Sequence, residues 1–305
     1  MSAALAQDVK RLAAELGYAA CGITSAEPFA EFRAAIRARI RRFPGAAALY
    51  EPMLARAEPR RGAPWARSVV VCLRRYGKYR LPPGLAAHIG RNYLCDRRNA
   101  DCPDHPMPKQ FQQGLIALGL RVRRGGTPDR WAAARAGVAR VGRNCFACSE
   151  HGSWINIETW LVGTALPPDP PALDLPCPDG CRACMNACPT GALVEPLVMR
   201  MDRCVAYLSY HAPEPVDPAL WEKMGPWIYG CDACQLACPL NKGAWEDLEP
   251  APWLERLAPH LTPAALAEMD ETTYREHVHP AFWYIPKHDL ARWHRNAHRA
   301  LASSG

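Results

Sequence analysis

The chain has 305 residues and a mass of 33.7 kDa, more than a single compact core usually requires, so two units that share an interface are expected. Apolar residues make up 49% of it and charged residues 22%, and no apolar stretch approaches the ~18 residues that a membrane span needs. The composition therefore excludes a single small module and a membrane-spanning protein. The formal charge of +7 counts every cysteine as neutral, so it is weak support for a polyanionic partner.

The first predicted element is a helix over residues 4–16, which Gly17 ends. Charged side chains, among them Asp8, Lys10 and Glu15, interrupt this stretch, so it cannot be the apolar segment of a secretion signal. We therefore expect a cytoplasmic protein whose cysteines are kept reduced.

Strands and helices alternate through the first half of the chain. Residues 19–23 and 68–73 form short apolar runs typical of buried strands, while residues 111–120 and 131–136 have the apolar spacing of helices. This alternation favours a layered α/β fold for the N-terminal part.

A proline-rich segment separates this first half from a cysteine-rich one. Residues 166–178 contain six prolines and are predicted to be a linker. Beyond residue 240, the clearest helical patterns cover residues 262–269 and 289–302. The predicted fold class is α+β, with an α/β domain over residues 1–170, a cysteine-rich domain over residues 171–245 and a helical C-terminal segment over residues 246–305.

Cysteine is the residue type that departs most from average usage. The chain has 14 cysteines, and eight of them lie between Cys177 and Cys238. In the first run, Cys177, Cys181, Cys184 and Cys188 precede Pro189; then Cys204 stands alone; in the second run, Cys231, Cys234 and Cys238 precede Pro239. Two runs that end in C-x3-C-P are typical of domains that bind two 4Fe-4S clusters.

The ligands of the two clusters are expected to interleave, because in the bacterial run the cysteine before proline binds the other cluster. We assign Cys177, Cys181, Cys184 and Cys238 to one cluster, and Cys188, Cys204, Cys231 and Cys234 to the other. The alternative is a pair of structural zinc sites, which C-x2-C pairs also fit but which have no need for two cysteine–proline steps. An extra residue between Cys177 and Cys181 leaves open which of these two is the ligand.

A candidate third metal site lies outside these runs. Its members are Cys95, Cys102, His105, Cys145, Cys148 and His151. The spacing C-x2-C-x2-H resembles half of a metal site. The alternative is that these cysteines are small apolar residues near the cofactor, and nothing in the sequence brings the two halves together.

Many neighbours of the cysteines also follow a pattern. In the cysteine-rich part the stretches are ACPTGALVEP at 187–196, RCVAYL at 203–208 and IYGCDACQLACP at 228–239. Elsewhere they are LGY at 16–18, GRNY at 90–93, RAG at 135–137, GRN at 142–144, GSW at 152–154 and RWHRN at 292–296. On these residues the chain resembles, over nearly its whole length, the epoxyqueuosine reductase family, which acts in the maturation of queuosine in tRNA.

This resemblance implies a cobalamin-binding α/β domain, similar to that of reductive dehalogenases, next to a ferredoxin-like domain with two 4Fe-4S clusters. It implies a two-electron reduction, fed one electron at a time by ferredoxin or flavodoxin, of a small-molecule or tRNA-borne substrate. The residues in matching motifs that it implies for cofactor binding are Arg91, Asn92, Tyr93, Arg143, Asn144, Gly152 and Ser153. No Asp-x-His-x-x-Gly motif is present, so a histidine ligand to cobalt is not expected.

Two departures from the family's pattern affect the expected chemistry. An Asp that is thought to protonate the substrate lies thirteen residues before the Ala-Gly of the Arg-Ala-Gly motif, and an ungapped count places Arg123 there. An arginine keeps its proton at working pH and cannot be a general acid. Asp129 would take the role after a shift in register. The family's Gly-Arg-Asp-Tyr-His reads Gly-Arg-Asn-Tyr-Leu here, so Tyr93 becomes a candidate proton donor, provided that its pKa falls.

Three functions remain open from the sequence. The first is an iron–sulfur, cobalamin-dependent reductase whose substrate is unidentified, and the second is epoxyqueuosine reduction. The third is an electron carrier that serves a corrinoid partner and performs no substrate chemistry. An enzyme should bind cobalamin and turn over a substrate, whereas a carrier should show only the redox chemistry of its clusters.

Two features of the C-terminal segment have both a functional and a structural interpretation. Arg292, Arg295, His298 and Arg299 make the last helix basic; such a face contacts RNA or a reductant in some proteins, but we favour an ordinary solvated surface. Phe282, Trp283 and Tyr284 either cover the cofactor or pack the tail onto the core.

Overall fold

Short helices and strands alternate along the chain, which the computed structural model describes over residues 2–96 and 99–303. The strands are β1 (Ala20–Ser25), β2 (Ser68–Arg75), β3 (Val122–Arg124), β4 (Arg140–Val141), β5 (Ala147–Cys148), β6 (Ile155–Val162), β7 (Leu193–Glu195) and β8 (Val198–Met199). The helices are α1 (Ser2–Glu15), α2 (Ala30–Arg42), α3 (Ala47–Tyr50), α4 (Arg91–Leu94), α5 (Met107–Ala117), α6 (Asp129–Arg135), α7 (Ala183–Asn186), α8 (Val205–Tyr210), α9 (Pro218–Lys223), α10 (Ala233–Leu236), α11 (Pro252–Leu257), α12 (Pro263–Ala267), α13 (Glu271–Thr273) and α14 (Leu290–Ala302). None of the helices in the described ranges combines the length and the apolar character that crossing a membrane requires.

The largest sheet has the strand order β1-β2-β6-β3, and all of its pairs are antiparallel. β2 and β6 pair along their whole length, from Ser68 opposite Val162 to Arg75 opposite Ile155. Helices cover both faces, so β2 is buried apart from its last residue. The predicted alternation of strand and helix is therefore a helix–sheet–helix layer, and the antiparallel pairing places the chain in the predicted α+β class.

The two faces of β2 pack against different helices. Val69 and Val71 belong to an apolar cluster with side chains of α2 and α6. Val70 and Cys72 point to the other face, where they join α1, α5 and the buried indole of Trp160. A strand that is buried on both faces has a continuous apolar sequence, which is why residues 68–73 could be predicted.

The cysteine-rich part begins after the proline-rich segment. Between β6 and α7, all of which the structure describes, the chain has neither helix nor strand, as predicted for a linker. Each cysteine run then forms one short helix, with Cys184 in α7 and Cys234 in α10, and these two helices contact each other. The sequence repeat of the two runs is thus also a structural repeat.

The C-terminal helices complete the core. One apolar cluster contains Tyr76 and Tyr79 from the first half of the chain together with Trp253 and Trp293 from the last fifth. The indole of Trp293 stacks on the ring of Tyr229, with 5.0 Å between ring centres. The helical character predicted for this segment is confirmed, while the domain boundaries at residues 170 and 245 stay a prediction.

The arginines of α14 bind the chain itself. Arg292 and Arg299 donate to main-chain carbonyl groups, and Arg295 pairs with Glu214. Arg299 is 7% exposed, and burial lowers its pKa to about 10. Of the four basic residues, His298 is the exposed one. The prediction of a solvated basic face is therefore wrong for the three arginines, because loop carbonyl groups and the carboxylate of Glu214, all from distant segments, bind them.

Candidate active site and metal centres

A cavity of about 500 Å³ lies between the large sheet and the cysteine-rich part. The strand β6 contributes Ile155, Asn156 and Ile157, and α6 contributes Asp129 from its first turn. Tyr284, from the C-terminal segment, also lines it. Side chains from all three parts of the chain therefore meet at one volume, which has the size of a cofactor or ligand site.

Four cysteines form one wall of this cavity. They are Cys188, Cys204, Cys231 and Cys234. Main-chain N–H groups point at two of the sulfurs, since Ala192 donates to Cys188 Sγ at 3.2 Å and Ala233 donates to Cys231 Sγ at 3.4 Å. Hydrogen bonds of this kind stabilise a thiolate. Burial raises the pKa of Cys204 and Cys231, so a bound metal has to displace their protons.

The other four predicted ligands line a second, smaller cavity. They are Cys177, Cys181, Cys184 and Cys238. The N–H of Arg143 donates to Cys177 Sγ at 3.3 Å. Asn144 lines both cavities, and its side-chain amide donates to the Cys234 carbonyl at 3.4 Å. The structure thus places the eight cysteines four and four, in the interleaved grouping, and four thiols around one cavity are the donor set of a 4Fe-4S cluster.

Asp129 places a carboxyl group in the wall of the first cavity. Its Oδ1 accepts hydrogen bonds from Thr127 Oγ1 at 3.1 Å and from Thr159 Oγ1 at 3.2 Å. Burial raises the pKa of Asp129, and the charge of Arg56 and the two threonine hydroxyl groups oppose this shift. The carboxyl group is therefore fixed in position, and it keeps its proton to a higher pH than a free aspartate does.

Arg123 does not take part in this cavity. It lies exposed on β3, and its guanidinium donates to the Gly62 carbonyl. The chain after β3 turns at Gly125 and Gly126, which have positive φ angles of 73° and 92°, and Asp129 then begins α6. The structure gives no support to a replacement of the family's carboxylate by Arg123, and the shifted register, with Asp129, fits the cavity.

Tyr93 lines the first cavity but is poorly suited to give up a proton. Its hydroxyl group shares a hydrogen bond with that of Tyr210 at 3.0 Å, and its ring packs edge-on against Tyr229 and Tyr284. Burial raises the pKa of Tyr93 well above its ordinary value, and the neighbouring tyrosines raise it further. The proton-donor hypothesis requires a lowered pKa, so the raised pKa of Tyr93 speaks against it. The described surroundings of Tyr93 favour a packing role.

The predicted cofactor-binding residues are only partly brought together. Asn92, Tyr93 and Asn144 line the first cavity. The Asn92 Oδ1 atom accepts a hydrogen bond from Asn156 Nδ2 at 2.6 Å, which orients both amides. Arg143 instead lines the second cavity, beside the Cys177 group.

The remaining three residues lie behind the cavity and join two parts of the chain. The N–H of Arg91 donates to Asp232 Oδ2 at 2.7 Å. The N–H of Ser153 donates to Asn241 Oδ1 at 2.7 Å, and Gly152 packs against the same side chain. Arg91, Gly152 and Ser153 therefore position the loops that carry the cysteines and do not line the cavity.

Replacing Gly152 by Ala is expected to destabilise this junction. Gly152 has a φ of +61°, and a Cβ there would lie 2.4 Å from Asn241 Oδ1. We expect the free energy of unfolding to fall by about 2 to 5 kcal/mol, from left-handed strain and overpacking together. Denaturant unfolding of the variant measures this loss. Gly191→Ala is the matched control, because Gly191 has the same φ but open space around it; equal losses would contradict the contact.

Sequence reasoning missed two polar residues of the site. Asn156 interrupts the apolar strand β6, and Gln235 lies between two predicted ligands in α10. The Gln235 amide donates to Ser153 Oγ at 2.9 Å and is buried. The signal for Asn156 was a polar residue between two isoleucines of a strand, because a half-buried amide needs hydrogen-bonding partners, and Asn92 is one here.

The third metal site is not assembled. Cys95 and Cys102 lie in an apolar cluster with Tyr79, whereas Cys148 lines the second cavity. Over residues 2–96 and 99–303, no three His, Cys, Asp or Glu side chains lie close enough to hold a single metal ion. The alternative interpretation, small buried apolar side chains, describes Cys95 and Cys102.

The walls of the first cavity fit a corrinoid. A corrin ring has broad apolar faces and an edge of amide groups, which need apolar walls and a few hydrogen-bonding partners. Apolar side chains line the cavity, namely Phe146, Ile155, Ile157, Leu193, Met199, Met201 and Val205. Asn92 and Asn156 supply amides at the same surface. The lining, as far as the chain is described, includes no histidine.

Comparison with known proteins gives the same assignment for the cysteine-rich part. Residues 177–241 match the family described as the 4Fe-4S double cluster binding domain. The epoxyqueuosine reductase of Staphylococcus aureus is 30% identical over 277 residues, an alignment that covers 85% of this chain and 70% of that protein.

Solved structures extend the similarity to the whole fold. A crystal structure of epoxyqueuosine reductase with an epoxyqueuosine-modified stem loop of tRNA-Tyr has a TM-score of 0.78 at 23% identity, covering 98% of this chain and 81% of that one. The reductive dehalogenase NpRdhA in complex with 3-bromo-4-hydroxybenzoic acid has a TM-score of 0.50 at 15% identity, covering 97% of this chain and 38% of that one. The chain therefore belongs to the epoxyqueuosine reductase family and is an iron–sulfur oxidoreductase.

Proposed function

We propose that this chain reduces epoxyqueuosine in tRNA, with two 4Fe-4S clusters as electron carriers and with cobalamin in the cavity beside Asp129. One observation carries the proposal, namely that Asp129 and the thiols of Cys188, Cys204, Cys231 and Cys234 line the same cavity. A proton source and the ligands of an electron carrier therefore share one volume. A reduction that consumes protons and electrons together needs this arrangement.

The role proposed for Asp129 is that of proton donor. When an epoxide is reduced, its oxygen gains negative charge as it leaves carbon and has to be protonated. The hydroxyl groups of Thr127 and Thr159 hold the carboxyl group in place, and burial favours its protonated form. Tyr93, whose pKa is raised well above the ordinary value by burial, is the weaker acid.

The two cysteine groups suggest the direction of electron flow. The Cys188 group lines the cavity that contains Asp129, the Cys177 group lines the other, and Asn144 lies between them. This order supports a path that enters at the Cys177 group and ends at the Cys188 group. A 4Fe-4S cluster, when bound, carries one electron at a time, so two transfers supply the pair. Reduced ferredoxin or flavodoxin is the proposed donor.

Cobalamin would be held by Asn92, Asn156 and the apolar side chains of β6 that line the cavity. When bound, it supplies a cobalt centre that can deliver electrons to a substrate. The chain's own residues orient the group and keep water away from it. The partly buried rings of Tyr93 and Tyr210, joined by a hydrogen bond between their hydroxyl groups, line one side of the cavity.

A tRNA-borne substrate is supported by the similar structure that contains the modified stem loop. The arginines of α14 are not proposed to hold RNA phosphates, because they already bind carbonyl groups and Glu214. The proposal therefore rests on the cavity and not on a basic helix face.

Anaerobic purification after growth with cobalamin, followed by an assay on an epoxyqueuosine-containing tRNA stem loop, tests the proposal. We expect about eight irons and one cobalt per chain, together with queuosine in the product when ferredoxin or flavodoxin is reduced. Iron without cobalt and without product would favour the electron carrier. If cobalt is present but the stem loop is not reduced, the proposed substrate is wrong while the proposed cofactor stands.

A further inference from the structure

A fifth cysteine lines the second cavity. Cys148 faces the same space as Cys177, Cys181, Cys184 and Cys238, and no function has been assigned to it so far. It is 6% exposed, and its Sγ lies 3.5 Å from where a Cβ on Gly142 would stand. Burial raises the pKa of Cys148 to about 12, with the neighbouring thiols of Cys238, Cys177 and Cys184 adding to the shift.

One of the other four thiols, that of Cys177, lies outside the repeat in the sequence. The unit C-x2-C-x3-C-P occurs as Cys181 to Pro189 and again as Cys231 to Pro239, and Cys177 lies outside it. Three residues separate Cys177 from Cys181, where a two-residue spacing is usual. Cys177 thus reaches the cavity from the proline-rich segment, which has neither helix nor strand in the described chain.

Cys148, in contrast, is part of regular structure. It lies on β5 and pairs with Arg140 of β4. The connection between β4 and β5 supplies the N–H of Arg143, which donates to Cys177 Sγ at 3.3 Å. Both thiols therefore line the same cavity, Cys148 from a paired strand and Cys177 from an irregular segment.

We propose that Cys148 is a reserve ligand of the 4Fe-4S cluster held by the Cys177 group and takes the place of Cys177 on iron when that bond is lost. In the exchange an iron–sulfur bond to Cys148 forms, the bond to Cys177 breaks, and the proton of the Cys148 thiol passes to the released Cys177 thiolate. No electron is gained or lost. The proposal concerns cluster ligation alone, so it does not depend on the substrate or on cobalamin.

The single variant Cys177→Ala tests the proposal. Two properties are measured, the iron content and the electron paramagnetic resonance spectrum of the anaerobically reduced protein. We expect Cys177→Ala to keep about eight irons, with a changed spectrum because one sulfur ligand has a new position. A fall to about four irons would overturn the proposal. Cys148→Ala alone is expected to keep eight irons and the unchanged spectrum, because Cys177 then serves as ligand.

The double variant Cys148→Ala with Cys177→Ala identifies the replacing thiol. We expect about half of the iron to be lost, and retention of all of it would overturn the assignment of Cys148. Cys145→Ala with Cys177→Ala is the matched control, because Cys145 lies three residues away but does not line the cavity, and it should keep eight irons. Circular dichroism of each variant verifies folding. If the double variant fails to fold, a fall to about four irons in Cys177→Ala alone still overturns the proposal.

Discussion

Replacing Asp129 by Asn is expected to lower the rate constant of substrate reduction by about 10²- to 10⁴-fold, the usual contribution of a positioned general acid. Asparagine has the same shape and keeps an oxygen for the hydroxyl groups of Thr127 and Thr159, but it carries no transferable proton. Single-turnover reduction of the stem loop, with iron content measured on the same sample, gives the result. Unchanged iron with a rate near that of the unmodified chain would show that the proton comes from elsewhere.

Arg123→Gln is the matched control for this variant. Arg123 lies on β3 outside the cavity, so its replacement should leave the rate within about twofold of the unmodified chain, as for most exposed sites. If Arg123→Gln lost most of the rate and Asp129→Asn lost none, position 123 would be the one that matters for the reaction and the shifted register would be wrong.

The pH dependence of the reaction has a definite sign. Burial raises the pKa of Asp129, so the protonated, active form persists above the ordinary carboxyl range and is lost as the pH rises through the raised pKa. The rate should therefore fall with rising pH in that window, and Asp129→Asn should remove this limb of the profile. The stability contribution has the same sign, because the folded chain holds this proton more tightly than the unfolded chain does, so ionisation on rising pH costs stability.

Replacing Cys231 by Ala is expected to abolish reduction and to remove about four of about eight irons, one cluster's share. Cys231 lies in the wall of the first cavity, and the main-chain N–H of Ala233 points at its sulfur. Unlike the Cys177 group, the Cys188 group includes no fifth cysteine among the residues that line its cavity in the described chain, so no thiol replaces the lost one. Metal analysis and the spectrum of the reduced protein measure the loss.

Cys21→Ala serves as the control for this second result. Cys21 lies on β1, opposite Cys72 of β2, and lines neither cysteine cavity. Its loss should leave iron and activity unchanged. If Cys231→Ala kept all of its iron, the interleaved ligand assignment would have to be revised.

The cysteine grouping could be predicted from the sequence because spacing limits how thiols surround a small core. The Cys177 and Cys188 groups line separate cavities in the predicted combination. In each run, the cysteine before proline lines the cavity of the other run. Helices and buried strands with strong periodicity, such as α14 and β2, were also predictable.

The position of the carboxyl group that we propose as the acid could not be counted from a motif. Gly125 and Gly126 form a turn with positive φ angles between β3 and α6, and a turn of this kind changes length without changing the sequence pattern on either side. Asp129 begins the helix after that turn. A single sequence contains no signal for the register of such a loop.

Hydrogen-bond partners that come from distant segments could not be predicted from the sequence either. The basic pattern of α14 looked like an open surface because periodicity describes one helix and not the loops that approach it. Arg299 binds the carbonyl groups of Gly225 and Trp227, more than 70 residues earlier. For Gly152 and Ser153, the motif indicated importance but not the role, which is to hold Asn241.

Tyr284 determines when the cavity becomes enclosed as the chain is made and folds. Its N–H donates to Tyr229 at 3.0 Å and its ring stacks on Tyr210, so a side chain near the end of the chain completes the cavity. This enclosure therefore exists only after the segment that carries Tyr284 has been synthesised and has packed onto Tyr210 and Tyr229. Before that point the Cys188 group lacks this part of its cover, and its thiols are more accessible to dissolved oxygen.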